Sequence, residues 1–398
     1  MISTERLRQL IAEEMPWAVE FRRDLHRHPE IGYEETRTAS RIRAALDEAQ
    51  VAHADGLAGG TGTLAHLRGA GGAAIALRAD IDALPIDELG GCAWKSTISG
   101  RMHACGHDGH TTILATTARV LSRIAKNEPL PRPVTFVFQP AEEGGGGGKR
   151  MCDDGCLDGS VIGPKVERIY GLHGWPTYRL GTVGTRPGPM LACSDRFEIT
   201  IKGEGAHAAF PHVARDPVLA AAQVIVALQS IVARNVDPLD SAVVSATMVR
   251  AGSATNVIPP TATIAGTARA LTAPVRDLIE RRFGEVVRAA ALVHGCEVDA
   301  RYIRGYPITS NDANEVARFE RIARAALGDA RVRPLERPVM GGEDFAYYGE
   351  RVPSCFFVLG LLRDGATSMP LLHHPEFDFN DDAIPTGVEL FCRLALEG

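Results

Sequence analysis

The chain has 398 residues, of which 45% are hydrophobic and 23% charged, a balance that suits a soluble globular enzyme of about two to three domains. A formal charge of -6 and no lysine- or arginine-rich run leave no electrostatic footprint for nucleic acid or an anionic membrane surface, so a small-molecule substrate is expected. Eight cysteines are too sparse for a disulfide framework, and the charged opening Met1-Ile-Ser-Thr-Glu-Arg6 lacks the apolar core of a secretory signal; both lead to the expectation of a cytoplasmic protein.

Up to about residue 190, helical patterns alternate with short apolar runs. Residues 73–78, 134–138 and 168–173 read as strands and 112–126 as a helix, which is the alternation of an α/β sheet covered by helices. The rhythm then changes. Residues 196–202 alternate with period two, 216–234 are helical, 242–249 and 262–268 read as strands, 275–294 as a long helix and 297–303 as a strand. That order, β-α-β-β-α-β, is the split βαβ or ferredoxin-like arrangement. The apolar stretch 218–233 is interrupted by Gln223, Gln229 and Ser230 and is expected to be a buried helix, too short and polar to span a bilayer. Helix and buried-strand patterns return afterwards, including 355–359. Residues 190–303 therefore read as a unit inserted into a discontinuous domain formed by 1–189 and 304–398.

One octapeptide, His103-Ala-Cys-Gly-His-Asp-Gly-His110, gathers five donors of three chemical types, a concentration that suits zinc or a similar ion. A loop capping a helix that starts at Thr111 would need only one short polar residue. Upstream, Asp80 and Asp82 follow an apolar run, where carboxylates can hold the far edge of a ligand histidine or simply form a turn before Pro85. Downstream, Glu142 and Glu143 end another apolar run and precede a run of glycines. On extended chain, adjacent side chains point apart, so one carboxylate can bind metal while its neighbour acts as general base. His173 and His373 also stand at the ends of apolar runs, where a lone histidine is more often a core or turn residue; here the whole set favours ligation.

With these residues in view, the chain resembles the family of two-metal metallopeptidases that contains hippurate hydrolases, N-acyl-amino-acid amidohydrolases and indole-acetyl-amino-acid hydrolases. The likeness runs through residues 24–32, 78–85, 103–110, 139–144, 205–212, 256–260, 340–345 and 373–375. It implies a mixed-sheet catalytic domain with an inserted α+β lid and dimerisation domain, and a homodimer or homotetramer. It also implies that Cys105, His107, Glu143, His173 and His373 bind two divalent metal ions per subunit (zinc, manganese, cobalt or nickel), with His107 or Glu143 close to both. Glu142 becomes the general base towards a metal-activated water. His207 would stabilise the oxyanion, often in a neighbouring subunit's site, while Asn256 and Arg269 would contact the substrate carbonyl and carboxylate; Arg269 could equally be an exposed charge on a strand edge. Asp80, Asp82 and Asp108 become supports of the ligands. The implied reaction is hydrolysis of N-acyl amino acids with acetyl or aroyl groups, with a carboxypeptidase or dipeptidase as the alternative. His374 could exchange roles with His373, His103 and His110 could support the site, Glu343 and Asp344 could face substrate or cap a helix, and His26 and His28 are expected to be structural.

Overall fold

The structure is a computed structural model that describes residues 2–397. It divides into two compact units, one comprising Met1–Gly188, Ser310–Glu336 and Asp344–Gly398, the other Pro189–Thr309 and Arg337–Glu343.

The larger unit is built on a seven-stranded mixed sheet. Its four central strands run parallel, in the order Val134–Gln139, Ala74–Asp80, Val166–Arg179 and Ser354–Leu362. Antiparallel strands Gly62–Leu67 and Ala52–Leu57 extend one side, and Val183–Gly184 the other. Three of the central strands, Ala74–Asp80, Val134–Gln139 and Ser354–Leu362, are buried at every position, as parallel strands covered on both faces must be, which is why they read as continuous apolar runs. Helices Thr4–Arg27, His107–Ala125 and Ile384–Glu397 pack against one another through Leu7, Leu25, Leu114, Leu121 and Leu390 of one core. Asp80 closes its strand, and Glu142 and Glu143 lie just beyond the end of theirs. The candidate residues thus collect at the carboxyl ends of parallel strands, where open α/β sheets bind ligands.

The first helix is tied down by a fully buried guanidinium. Arg22 donates to Asp381 at 2.6 Å, to Asp378 at 2.7 Å and to Asp108 at 3.4 Å. These carboxylates keep it charged against the cost of burial. Removing one partner of such a cluster strands the others in low dielectric. Arg22→Leu should therefore cost about 3–5 kcal/mol, read as a lower denaturant midpoint for unfolding of this unit.

The smaller unit holds a four-stranded antiparallel sheet in the order Ala242–Ala251, Thr261–Ala270, Ser194–Lys202, Glu297–Tyr306, with helices Pro217–Arg234 and Ala273–Leu292. This is the expected β-α-β-β-α-β order, so the mixed α/β class with an α+β unit holds. Asp216 starts the first helix by accepting from the Val218 and Leu219 amides, with Pro217 needing no partner at its nitrogen. The expectation of a wholly buried helix fails there. Ala220, Ala221, Val224, Leu228 and Ile231 face the core, but Val218, Leu219 and Val226 are exposed, because the sheet covers one side of the helix only. By length and composition this helix is apolar enough to cross a membrane.

Candidate active site

The helix that opens the site begins at His107, four residues earlier than Thr111, where the sequence places it. Gly106 takes the left-handed conformation (φ 88°) at the helix N-cap and turns the chain inward, a bend that a side chain would resist. His107, Asp108 and His110 thus sit in the first helical turn instead of a preceding loop, with His107 and His110 one turn apart.

Hydrogen bonding decides which imidazole nitrogens are occupied. His107 donates from Nδ1 to the Asp82 carbonyl (2.9 Å) and to Asp82 Oδ1 (3.1 Å), which leaves Nε2 buried and without a partner. His173 donates from Nδ1 to the Gly174 carbonyl at 2.8 Å, and its Nε2 lies 3.3 Å from Cys105 Sγ. His110 is spent on both sides, donating to Asp80 Oδ1 (2.7 Å) and accepting from the Gly174 amide (2.8 Å), so it offers no lone pair. Both nitrogens of His103 are buried without partners, and burial drives its pKa down to about 4.

Glu142 and Glu143 lie in a turn, not on the extended chain expected from the sequence. Ala141 takes a positive φ of 53°, and the Gly144 amide closes the turn on the Glu142 carbonyl at 2.7 Å. His373, also at positive φ (65°), donates its amide to the Ala104 carbonyl (2.8 Å), which fixes it beside Cys105, and its Nε2 lies 3.1 Å from Glu143 Oε1. Non-glycine residues in this region are strained by about 1–3 kcal/mol and are held only where the surroundings over-determine them. His374 instead accepts from the Glu376 amide; both histidines are exposed.

Donor atoms of Cys105, His107 and His173 lie within 4.8 Å of one another, as do those of Cys105, Glu143 and His373, and those of His107, Glu142 and Glu143. Two ligands of one tetrahedral ion with bonds of about 2.0–2.3 Å stand about 3.4–3.6 Å apart. The 3.3 Å between Cys105 and His173 and the 3.1 Å between Glu143 and His373 come close to that spacing. Each of Cys105, His107 and Glu143 belongs to two of these three groups, Cys105 being the donor common to the first two.

The electrostatics call for positive charge. Although burial opposes protonation, Asp80, Asp82 and Glu143 outweigh it and raise the His107 pKa to about 10. Burial and the carboxylates Glu143 and Glu142 push the Cys105 thiol well above its usual range. A divalent ion meets both demands, neutralising the carboxylates and stabilising the thiolate; the donor set fits such a cation.

The chain matches peptidase family M20/M25/M40 over residues 76–397. It is 38% identical over 379 residues to the N-acetylcysteine deacetylase of Bacillus subtilis (strain 168), covering 95% of this chain and 96% of that protein. It is likewise 38% identical to IAA-amino acid hydrolase ILR1-like 4 of Arabidopsis thaliana, covering 95% and 85% of the two chains. The chain belongs to the M20/M25/M40 peptidase family. The solved structure of the Bacillus subtilis YXEP protein, described as a dinuclear metal binding peptidase from the M20 family, superposes with a TM-score of 0.81 at 34% identity, covering 97% and 98% of the two chains. This M20-family protein is an enzyme, an amidohydrolase.

Around the donors, the three aspartates assigned as supports divide. Asp82 clamps His107 and also accepts from the Glu143 amide (2.9 Å), so one carboxylate sets two candidate ligands. Asp80 holds His110 and Arg78, with His107 Nε2 at 3.8 Å. Asp108 turns away to His26 and Arg22. In the amidohydrolase's other unit, His207 accepts the Ala209 amide at Nδ1 (3.1 Å), and Asn256 receives the Ala208 amide on its carbonyl (2.9 Å). Arg269 is part-buried on an interior strand, not exposed at an edge, and its Nη1 bonds back to Asp195, Thr267 and Ala268.

Two buried carboxylates beside the site, Asp344 and Glu35, have contacts that a sequence reading does not supply. Asp344 is buried and does not face solvent; it accepts from Arg78 (2.9 Å), Gln139 (2.8 Å) and the Gly148 amide (2.8 Å) in the first turn of helix Gly147–Asp153, while its own amide donates to Glu142 Oε1 (3.3 Å). Gly147 is required next to it, since a Cβ there would lie 1.6 Å from the Pro140 carbonyl oxygen. The one signal was a charge, Arg78, inside an apolar strand. Glu35 is also buried, accepting from the Ala141 amide and the Thr61 hydroxyl, both at 2.9 Å. Burial and nearby Asp82 raise its pKa to about 7. An acid raised this way favours the folded state while protonated, and the benefit is lost as pH climbs from the unfolded value of about 4.3 through about 7. Glu35→Gln keeps the protonated shape, so it should stabilise the enzyme by about 2–3 kcal/mol near pH 8 and far less near pH 5, checked by melting at both.

Proposed function

We propose that the enzyme hydrolyses the amide of N-acyl amino acids carrying acetyl or aroyl groups, hippurate among them, to a carboxylic acid and a free amino acid. What carries this reading is the meeting of adjacent carboxylates Glu142 and Glu143 at His107, beside two donor groups that share Cys105. Cys105, His107, Glu143, His173 and His373 would hold two divalent ions. Such ions lower the pKa of a water towards neutrality and polarise the scissile carbonyl. Glu142, buried and oriented by the Asp344 amide, takes the proton of the attacking water and returns it to the leaving nitrogen.

His207 is the proposed oxyanion donor. Its Nδ1 is occupied as an acceptor, so the neutral ring carries its proton on Nε2 and can donate. Asn256 and Arg269 are proposed to face the substrate carbonyl and carboxylate; among the described residues, Arg269 bonds through Nη1 alone, which leaves the rest of its fork for a carboxylate. A homodimer or homotetramer through the smaller unit is supported by the sheet-edge strand Ala242–Ala251, with Met248 and Val249 exposed, and by the exposed apolar face of Pro217–Arg234. A cytoplasmic location is supported by eight free cysteines.

The test is a substrate panel of hippurate, N-acetyl amino acids and dipeptides assayed with added zinc or manganese. Acyl amino acids should exceed dipeptides in kcat/KM by about tenfold or more. A preference for dipeptides overturns the reading in favour of a dipeptidase.

A further inference from the structure

A second group of metal-type donors lies outside the site described above. His26 at the end of the first helix, Glu88 and Cys92 bring their donor atoms within 4.8 Å of one another. His26 is fully buried, Glu88 is buried and Cys92 is half-buried.

The two edges of the His26 ring behave differently. Nδ1 donates to Asp108 Oδ2 at 2.7 Å, a normal charge-assisted bond. Nε2 stands 3.4 Å from Glu88 Oε1, longer than the 2.7–3.2 Å typical of an N–H···O bond, although both groups are buried. Cys92 Sγ stands 3.6 Å from the same Glu88 oxygen. For a tetrahedral zinc ion the expected separations are about 3.4 Å between nitrogen and oxygen ligands and about 3.5 Å between sulfur and oxygen ligands. Both observed distances match. The outer partners are in place as well: Asp108 holds His26 Nδ1, which turns Nε2 towards Glu88, and Glu88 anchors its other oxygen on the Ser96 amide at 2.6 Å.

We propose that His26 Nε2, Glu88 Oε1 and Cys92 Sγ form a further binding site for a zinc-class divalent cation, with water completing the shell on the half-open side of Cys92. A neutral imidazole, one carboxylate and one thiolate balance the dipositive ion. Binding releases the Cys92 thiol proton and any proton on Nε2 to solvent; no oxidation or reduction is involved. Its effect is to fasten the loop that carries Glu88 and Cys92 to the first helix. The same loop carries Trp94, which bonds Asp378 at 3.1 Å and lies under Arg23.

The test uses the full-length protein stripped with a chelator, then incubated with or without zinc chloride and alkylated with iodoacetamide, the rate at Cys92 being followed by peptide mass spectrometry. Zinc should slow alkylation of Cys92 by about tenfold or more, because a coordinated thiolate is withdrawn from reaction. Equal rates with and without zinc overturn the proposal. Metal analysis gives the second arm. Cys92→Ala should hold about one zinc fewer per chain than the parent after loading, and an unchanged content overturns the site. Cys105 in the same digest reports on the other donor group, so failure at Cys92 is distinguishable from failure of the hydrolase reading.

Discussion

Glu142→Gln should lower kcat for an N-acyl amino acid by about 10²–10⁴-fold while leaving the metal content of the purified protein unchanged. Glu142 lies outside both donor groups that share Cys105, yet reaches His107 and Glu143. The amide side chain keeps the volume and the acceptor for the Asp344 amide but cannot take a proton. Glu143→Gln serves as the contrast. Glu143 pairs with His373 and belongs to a Cys105 group, so its loss should lower bound metal along with activity. Steady-state kinetics beside elemental analysis separates the two. A Glu142→Gln enzyme with near-parental kcat would remove the general base from this mechanism.

Cys105→Ala should cost both ions and bring hydrolysis to background, a larger loss than that of a donor belonging to one group alone. Its thiol is pushed up by burial and by Glu143 and Glu142, so the apo site holds a neutral SH, and a cation must displace its proton. Metal affinity should therefore fall as pH falls, with protons competing for the same sulfur. Chelation of the parent enzyme leaves the cluster of Asp80, Asp82, Glu142 and Glu143 with only Arg78 and His107 as counter-charge. A ligand at about 1,000 times its Kd stabilises a fold by about 4 kcal/mol, so melting with and without chelator should differ by several degrees. Restored activity on adding back zinc or manganese shows that the loss is reversible. Full activity after exhaustive chelation would sink the metal-dependent reading.

Much of the fold was legible because its chemistry is local. Continuous apolar runs such as 134–138 mark strands buried on both faces, and the period-two pattern of 196–202 marks a sheet with one covered side. The donor types of the octapeptide were equally plain. What stayed hidden was set by the tertiary structure or by backbone shape. His107 joins the helix because Gly106 can turn left-handed, and Glu142 and Glu143 share a turn because Ala141 is held at positive φ by neighbours that include Glu35. Neither follows from propensity. That His110 is spent on Asp80 and Gly174, while His107 Nε2 has no hydrogen-bond partner, depends on two neighbouring strands far apart in sequence. The exposed apolar side of Pro217–Arg234 shows the converse limit, since composition alone does not say how many faces a helix will bury.

The amide of His373 bonded to the Ala104 carbonyl has a consequence for biosynthesis. As the chain leaves the ribosome, Cys105, His107, Glu143 and His173 emerge well before His373, and the whole smaller unit is translated in between. On the proposed ligand set, the group of Cys105, His107 and His173 is then complete in sequence while the group that needs His373 is not. On that ligand set, loading of the second donor group would wait until translation is nearly finished and the last segment has docked beside residue 104, which would make it a late step in maturation.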